Sequence, residues 1–182
     1  GEIPESYLGI PDPLDPMSAY SMAKRASEHL CCLYCDRYGI ESVVARCFSF
    51  VGRDLPLNVH FAIGNFIHDA LYNHQINVAG DGSPIRSYMN QADLARWLLH
   101  ILDKGASGRA YNVGSDQAIS VSDLAHLVRD TLSPNNPVVI KNMKSIYQGR
   151  NVYVPDINRA ESELNLKLAI SLKESIEEFL PI

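Results

Sequence analysis

Residues 20–24 read Tyr20-Ser21-Met22-Ala23-Lys24, near the start of a stretch from Ser18 to Tyr38 whose pattern predicts one long helix. Four residues apart on a helix, Tyr20 and Lys24 share a face, with side chains close enough to interact. An ammonium held beside a phenol favours the ionised phenol, because positive charge stabilises phenolate. A tyrosine so placed can move a proton to or from a hydroxyl or carbonyl near neutral pH. That is half of what hydride transfer from a carbinol carbon requires, since the hydroxyl proton must leave as well. Any helix can carry this spacing, so the rest of the chain has to decide whether it matters.

Around this pair, Ala19, Ala23, Ala26, Leu30 and Leu33 supply the apolar positions, with Asp15 or Ser18 as cap and Gly39 as stop. Residues 42–50 (SVVARCFSF) are rich in β-formers and predict a buried strand, broken by turn chemistry at Val51 to Pro56. Further helices are expected at 61–72, 91–102, 120–132, 157–164 and 172–179, and short strands at 76–79, 109–113 and 138–141. Arg86 and Tyr88 fall in one more extended piece. Ser120, followed by Asp123, places a cap and an acidic first turn where the helix dipole favours them. Helices alternating with short strands predict an α/β fold, mixed toward its end.

The 182 residues suit one domain or two small lobes, and 46% hydrophobic with 20% charged residues is ordinary for a globular chain. A net charge of −5 argues against a nucleic-acid partner, since no basic excess exists to meet phosphates. No apolar run reaches the length of a membrane span, so no membrane partner is expected. Cys31, Cys32, Cys35 and Cys47 offer no second C-x-x-C and no close histidine pair, so no metal site is expected. They read as buried free thiols in a reducing, cytoplasmic setting. Asp12 and Asp15 read as turn formers in a Pro-rich opening loop. That loop is a poor beginning for a compact domain, and a longer parent chain is expected.

The order Pro16-x-Ser18-x-Tyr20-x-x-x-Lys24, then Arg46-x-Phe48, Gly80-Asp81-Gly82, Arg86 and Tyr111-Asn112-Val113-Gly114 resembles the extended short-chain dehydrogenase/reductases. Within these it is similar to the NAD-dependent nucleotide-sugar epimerases and 4,6-dehydratases, from Pro16 to the final helix. The resemblance implies the C-terminal part of a Rossmann-type parallel sheet domain plus a smaller mixed α/β substrate-binding lobe. Residues 1–56 would be the remnant of the NAD-binding domain. Residues 57–182 would be mainly the nucleotide-sugar lobe, with interleaved returns to the Rossmann sheet. None of the 11 glycines forms the G-x-G-x-x-G turn that cradles a pyrophosphate, so the chain is expected to be inactive alone.

The resemblance also implies roles. Tyr20 is the catalytic acid/base, and Lys24 bonds the nicotinamide ribose. Tyr20, Lys24 and Phe48 form the cofactor side, for NAD, with NADP as an alternative. Ser49 stands where the family usually has Asn, and lines the sugar site with Phe48. His60 and Phe61 meet the diphosphate and base, Asn77 and Ala79 hold the nucleobase through backbone groups, and Arg86 binds the diphosphate. Arg150 would be a second diphosphate arginine. An arginine suits this role because its planar fork donates two parallel hydrogen bonds. The implied substrate is a nucleotide-diphosphate sugar oxidised to a keto sugar, and the implied assembly is a homodimer through the Tyr–Lys helix. A keto-sugar reductase or a non-catalytic binding module are the alternatives. Asp93 is read as a helix-capping or internal bonding residue rather than a catalytic one.

Overall fold

The computed structural model describes residues 1–57, 59, 61–141 and 151–180. A capped turn at Pro16–Ser18 leads into α1 (Ala19–Tyr38), followed by β1 (Val44–Cys47), β2 (Phe50–Val51), α2 (Ala62–Tyr72) and β3 (Ile76–Val78). Next come β4 (Ile85–Arg86), β5 (Met89–Asn90), α3 (Gln91–Lys104), β6 (Ala110–Val113), β7 (Ile119–Ser120) and α4 (Val121–Leu132). The chain continues through β8 (Val138–Ile140), β9 (Val152–Tyr153), α5 (Asn158–Leu164) and α6 (Leu172–Glu177). The pairs β1–β6, β2–β5 and β3–β8 are parallel. In the three-stranded sheet β7-β4-β9, β4 runs antiparallel to β7 and parallel to β9. This is the α/β architecture with parallel sheets that the alternation predicts.

Two apolar clusters carry the packing. One gathers Ile63, Phe66 and Ile67 of α2, Ile76 and Val78 of β3, Leu124 and Val128 of α4, and Ile176 of α6. The other gathers Trp97 and Ile101 of α3, Tyr111 and Val113 of β6, and Ala160 and Leu164 of α5, with Val43 and Ala45 beside them. Each fully buried large apolar side chain contributes about 1.5–3 kcal/mol. Asn90 ties the clusters together: its Oδ1 caps α3 at Ala92 N (2.7 Å), while its Nδ2 donates to Ser175 Oγ and Glu178 Oε1 beside α6.

Some expectations change. The predicted strand 42–50 is interrupted, because β1 pairs with β6 whereas β2 pairs with β5. Phe48 and Ser49 lie at that change of partner, where their side chains are released to line cavities. The opening loop is anchored: Ile3 N donates to Val154 O, Asp156 N donates to Ile3 O, and buried Glu5 accepts from Asn112 N at 2.9 Å. Asp12 and Asp15 are turn formers, accepting from Leu14 N and Met17 N. Asp15 caps the short turn, whereas Ser18 makes no side-chain cap to α1. Gly39 ends α1 with φ +63, a conformation that disfavours any side chain.

The cysteines are free but not buried. Cys32 and Cys47 are exposed, and Cys31 and Cys35 only half-buried. They sit on or against α1, which buries none of its 20 residues. Hydrogen bonding by Ser42 Oγ at 2.9 Å, assisted by Ser107, holds the Cys35 thiol below its ordinary value, with desolvation opposing. Cys47 is exposed as a residue, but partial desolvation of its sulfur by neighbouring groups raises its thiol, with Lys24 acting in the opposite direction.

Candidate functional site

Tyr20 occupies the first turn of α1, positioned by the hydrogen bonds that fix the preceding turn. Ser18 Oγ donates to Asp12 O (2.6 Å) and Asp15 O (2.9 Å), and Ser21 Oγ donates back to Ser18 O (2.8 Å). One turn on, Lys24 Nζ lies over the Tyr20 ring, 5.5 Å from its centroid. A cation–π contact of this exposed kind contributes about 0.5–1 kcal/mol. Tyr20 is 75% exposed, and Lys24 pairs with no carboxylate among the described residues. Both line a groove of about 500 Å³ whose other wall is β1 and whose end is Tyr153.

Tyr153 was not singled out from the sequence, yet it joins this groove to the next cavity. Its ring stacks on Phe48, with centroids 4.8 Å apart and planes inclined 31°. On β9 it is the direct cross-strand partner of Arg86 on β4. Its phenol is raised above the ordinary tyrosine value, first by burial and then by the neighbouring Tyr20, with Arg86 acting in the opposite direction. It is therefore a neutral donor around neutral pH.

Phe48 also lines a cavity of about 510 Å³ with Ser49, Phe61, Arg86 and Tyr88. The guanidinium of Arg86 donates through Nη1 to Ile85 O (2.8 Å) and Asn151 O (3.2 Å). Among the described residues its Nε and Nη2 have no partner, and no carboxylate neutralises it. A half-buried guanidinium against aromatic walls, with an unused pair of parallel donors, suits a bidentate oxyanion. Burial pushes the Tyr88 hydroxyl up to about 12, against the nearby Arg86 charge, so this wall also stays neutral.

A smaller cavity of about 280 Å³ adjoins it, sharing Ala62, Pro84 and Val121, and is lined by Asn77, Ala79 and Gly82. Gly82 holds φ +75, and a Cβ there would lie 2.7 Å from Ser122 Cβ, so the turn at this wall requires glycine. The Asn77 N–H is already taken by Asp69 Oδ2 at 2.9 Å, so it is not available to a base. Exposed Ala79 remains at the cavity edge.

Of the residues expected from sequence, Tyr20 and Lys24 share one groove, and Phe48, Ser49, Phe61 and Arg86 share the next. Asn77 and Ala79 line the third. His60 and Arg150 lie outside the described residues. Asp93 is structural: its carboxylate is buried and accepts from Ala169 N, Ile170 N and Arg96. Tyr153 and Tyr88 are the additions. The only sequence signal for Tyr153 was a short alternating Val152-Tyr153-Val154 ahead of a proline. Taken together, a phenol and an ammonium face one groove, a guanidinium faces a neighbouring cavity, and a stacked aromatic pair stands between them.

A family model described as the NAD dependent epimerase/dehydratase family matches residues 2–114. A UDP-glucuronic acid decarboxylase 1 of Arabidopsis thaliana is 28% identical over 172 residues, covering 94% of this chain and 39% of that protein. The Xenopus tropicalis protein of the same name is 28% identical over 173 residues, with 94% and 40% covered. The chain thus spans less than half the length of these curated relatives. Among solved structures, a UDP-glucose 4-epimerase of Thermotoga maritima with UDP-glucose superposes with a TM-score of 0.83 at 22% identity, over 97% of this chain and 55% of that one. A UDP-glucuronic acid 4-epimerase of Bacillus cereus, in complex with UDP-glucuronic acid and NAD, gives 0.81 at 24% identity, over 98% and 55%.

Proposed function

The chain belongs to the NAD dependent epimerase/dehydratase family, and from that premise we propose that it carries the acid/base and substrate-binding part of an enzyme acting on a nucleotide-diphosphate sugar. The observation that carries this reading is the placement of Tyr20–Lys24 and of Arg86 in neighbouring cavities, joined by the Phe48–Tyr153 stack. Arg86 grips the diphosphate. Phe48 and Ser49 flank the sugar, and Tyr20 takes the proton of a sugar hydroxyl as its carbon is oxidised to the ketone. The same phenol returns the proton when the keto sugar is reduced, the chemistry that epimerases and dehydratases share. The names of the relatives, UDP-glucuronic acid decarboxylases and UDP-sugar epimerases, support a UDP-linked sugar as substrate.

The donor set fits the nicotinamide-ribose end of NAD. An ammonium with no carboxylate partner among the described residues and an exposed phenol face one groove, as a ribose diol requires. Bound NAD would supply the acceptor and later the donor of hydride. Lys24 and Tyr20 would hold the ribose, and Phe48 would border the ring. No glycine-rich pyrophosphate turn occurs in these 182 residues, which supports reading the chain as inactive alone. The interleaving of residues 1–56 and 57–182 draws support from the second apolar cluster, where residues near β1 pack with α3, β6 and α5.

Calorimetry tests this directly. UDP-glucuronic acid is expected to bind the chain, Arg86→Ala to weaken it about 10–100-fold through loss of a charge-assisted pair, and NAD to show no micromolar binding. Unchanged affinity in Arg86→Ala would remove the diphosphate role, and tight NAD binding would overturn the inactivity.

We read the assembly as a homodimer through α1, in a cytoplasmic setting that suits four free thiols. Within the chain, α1 is held by polar contacts: the Arg46–Glu28 pair at 2.7 Å, Arg25 to the Leu8 and Gly9 carbonyls, and Cys35 to Ser42. Such contacts contribute about 1 kcal/mol each or less, while α2 buries Ile63, Phe66 and Ile67. Leu30, Leu33, Tyr34 and Tyr38 remain exposed on α1. Sedimentation is expected to show a dimer that Leu33→Glu dissociates; a wild-type monomer at high micromolar concentration would refute the assembly.

A further inference from the structure

We propose that Arg46 is a positioning residue for the Tyr20–Lys24 pair: by gripping both oxygens of the Glu28 carboxylate it keeps Glu28 off Lys24, so that the Lys24 charge stays free for the phenol and the cofactor ribose. The proposal rests on the reading of Tyr20 and Lys24 as the acid/base pair and adds to it a residue on a different element.

The helix itself sets the problem. Glu28 follows Lys24 by four residues, as Lys24 follows Tyr20, so phenol, ammonium and carboxylate occupy successive turns on one face of α1. All three line the same groove. Side chains at this spacing have Cβ atoms about 5–6 Å apart, close enough for opposite charges to pair. A Lys24–Glu28 pair would neutralise the ammonium where its charge is needed. Yet Lys24 Nζ lies 5.5 Å from the centroid of the Tyr20 ring, and the Glu28 carboxylate is taken by β1.

Arg46 of β1 takes it. Its Nε donates to Glu28 Oε1 at 2.8 Å and its Nη2 to Oε2 at 2.7 Å, a parallel geometry that a planar guanidinium offers and an ammonium does not. Nη1 donates to Glu5 O at 2.7 Å, so the opening loop fixes the guanidinium in place. The bond to Glu28 is the largest influence raising Arg46 above the ordinary arginine value, with desolvation opposing. The Glu28 side chain is only 33% exposed, so without a partner its charge would be short of hydration. Among the described residues of this groove, Lys24 and Arg46 are the only cations and Glu28 the only carboxylate. Arg25, three residues before Glu28, is engaged by the Leu8 and Gly9 carbonyls. If Arg46 is removed, Lys24 is the cation left to Glu28.

Cys47 reports on the charge in the groove, because it lines the same wall and Lys24 acts on its thiol against the effect of desolvation. The test is the rate of iodoacetamide alkylation at Cys47 in the 182-residue chain at mildly alkaline pH, resolved from the other cysteines by peptide mass mapping. Arg46→Met is expected to slow it about two- to threefold as Glu28 turns to Lys24. Glu28→Gln should not slow it, and the Arg46→Met/Glu28→Gln double variant should return to the wild-type rate. A purely structural ion pair predicts another pattern, in which both single variants disturb the groove alike and the double variant restores nothing. Arg46→Gln, which removes the charge but keeps a donor, decides the matter if the Met variant fails to fold. In a polypeptide that also carries a dinucleotide-binding glycine turn, Arg46→Met should lower kcat about three- to tenfold with KM for the nucleotide sugar nearly unchanged, and the double variant should recover it. An unchanged alkylation rate in Arg46→Met, equal slowing in both single variants, or slowed alkylation with full kcat each overturns the positioning role. Full turnover in Tyr20→Phe would instead overturn the acid/base reading on which the proposal rests, whatever the alkylation rates.

Discussion

Tyr20→Phe is expected to lower turnover of a nucleotide sugar by about 10²–10⁴-fold, the usual range for loss of a positioned acid/base group. The measurement belongs in a polypeptide that carries both this chain and a dinucleotide-binding glycine turn. The substitution removes one oxygen and leaves the ring, so the Lys24 contact at 5.5 Å and the fold of α1 are retained. Because Tyr20 is 75% exposed and buries little, thermal stability should stay within about 0.5 kcal/mol of wild type. The signature is a fall in kcat with the affinity for nucleotide sugar nearly unchanged, since Arg86 lies in the adjoining cavity. Full turnover in the Phe variant would remove Tyr20 from the mechanism. A matched loss of binding would point to a role in holding substrate rather than moving protons.

The second large effect is on stability. Asp93 shares the buried stripe of α3 with Trp97 and Ile101, a place where an unpartnered carboxylate would be costly. It is tolerated because its Oδ2 accepts from Ala169 N (2.8 Å) and Ile170 N (3.1 Å), and its Oδ1 from Arg96 (2.6 Å). The segment after α5 is thereby clamped to α3, and Trp97 Nε1 adds a bond to Lys167 O at 3.2 Å. Asp93→Ala removes the acceptor of two part-buried main-chain N–H groups that solvent reaches in part, so each lost bond costs about 0.5–1.5 kcal/mol. Arg96 is half-exposed and regains solvent, so its lost pair adds little. The expected destabilisation is about 1–3 kcal/mol by urea unfolding. Asp93→Asn keeps an acceptor and should recover at least half of that. A loss below about 0.5 kcal/mol in the Ala variant would show that the clamp is dispensable.

Much of the fold was legible because its signals are local. The amphipathic periods of α2, α3 and α4, the Ser120 cap and the Gly39 stop each follow from residues within one or two turns of one another. The reading of Asp12 and Asp15 as turn formers draws on the same short-range chemistry, whereas the main-chain donors that hold Asp93 lie 76 and 77 residues further along the chain. The cysteines are exposed or half-buried rather than buried, because an apolar stripe on a helix says that a face could be covered, not that it is. The single strand expected at 42–50 was interrupted for a related reason: composition marks β-formers, but the partner strands decide where pairing changes.

Sequence alone determined the Tyr20–Lys24 pair, since four residues on a helix bring two side chains together whatever surrounds them. It also determined the order of elements, and so the α/β class. Only the tertiary structure decided that Phe48, Arg86 and Tyr153, 38 and 67 residues apart along the chain, meet as a stack and a cross-strand pair. The register between β4 and β9 makes that meeting. Register is fixed by which face of each strand the whole molecule can bury, a property that no short stretch carries by itself.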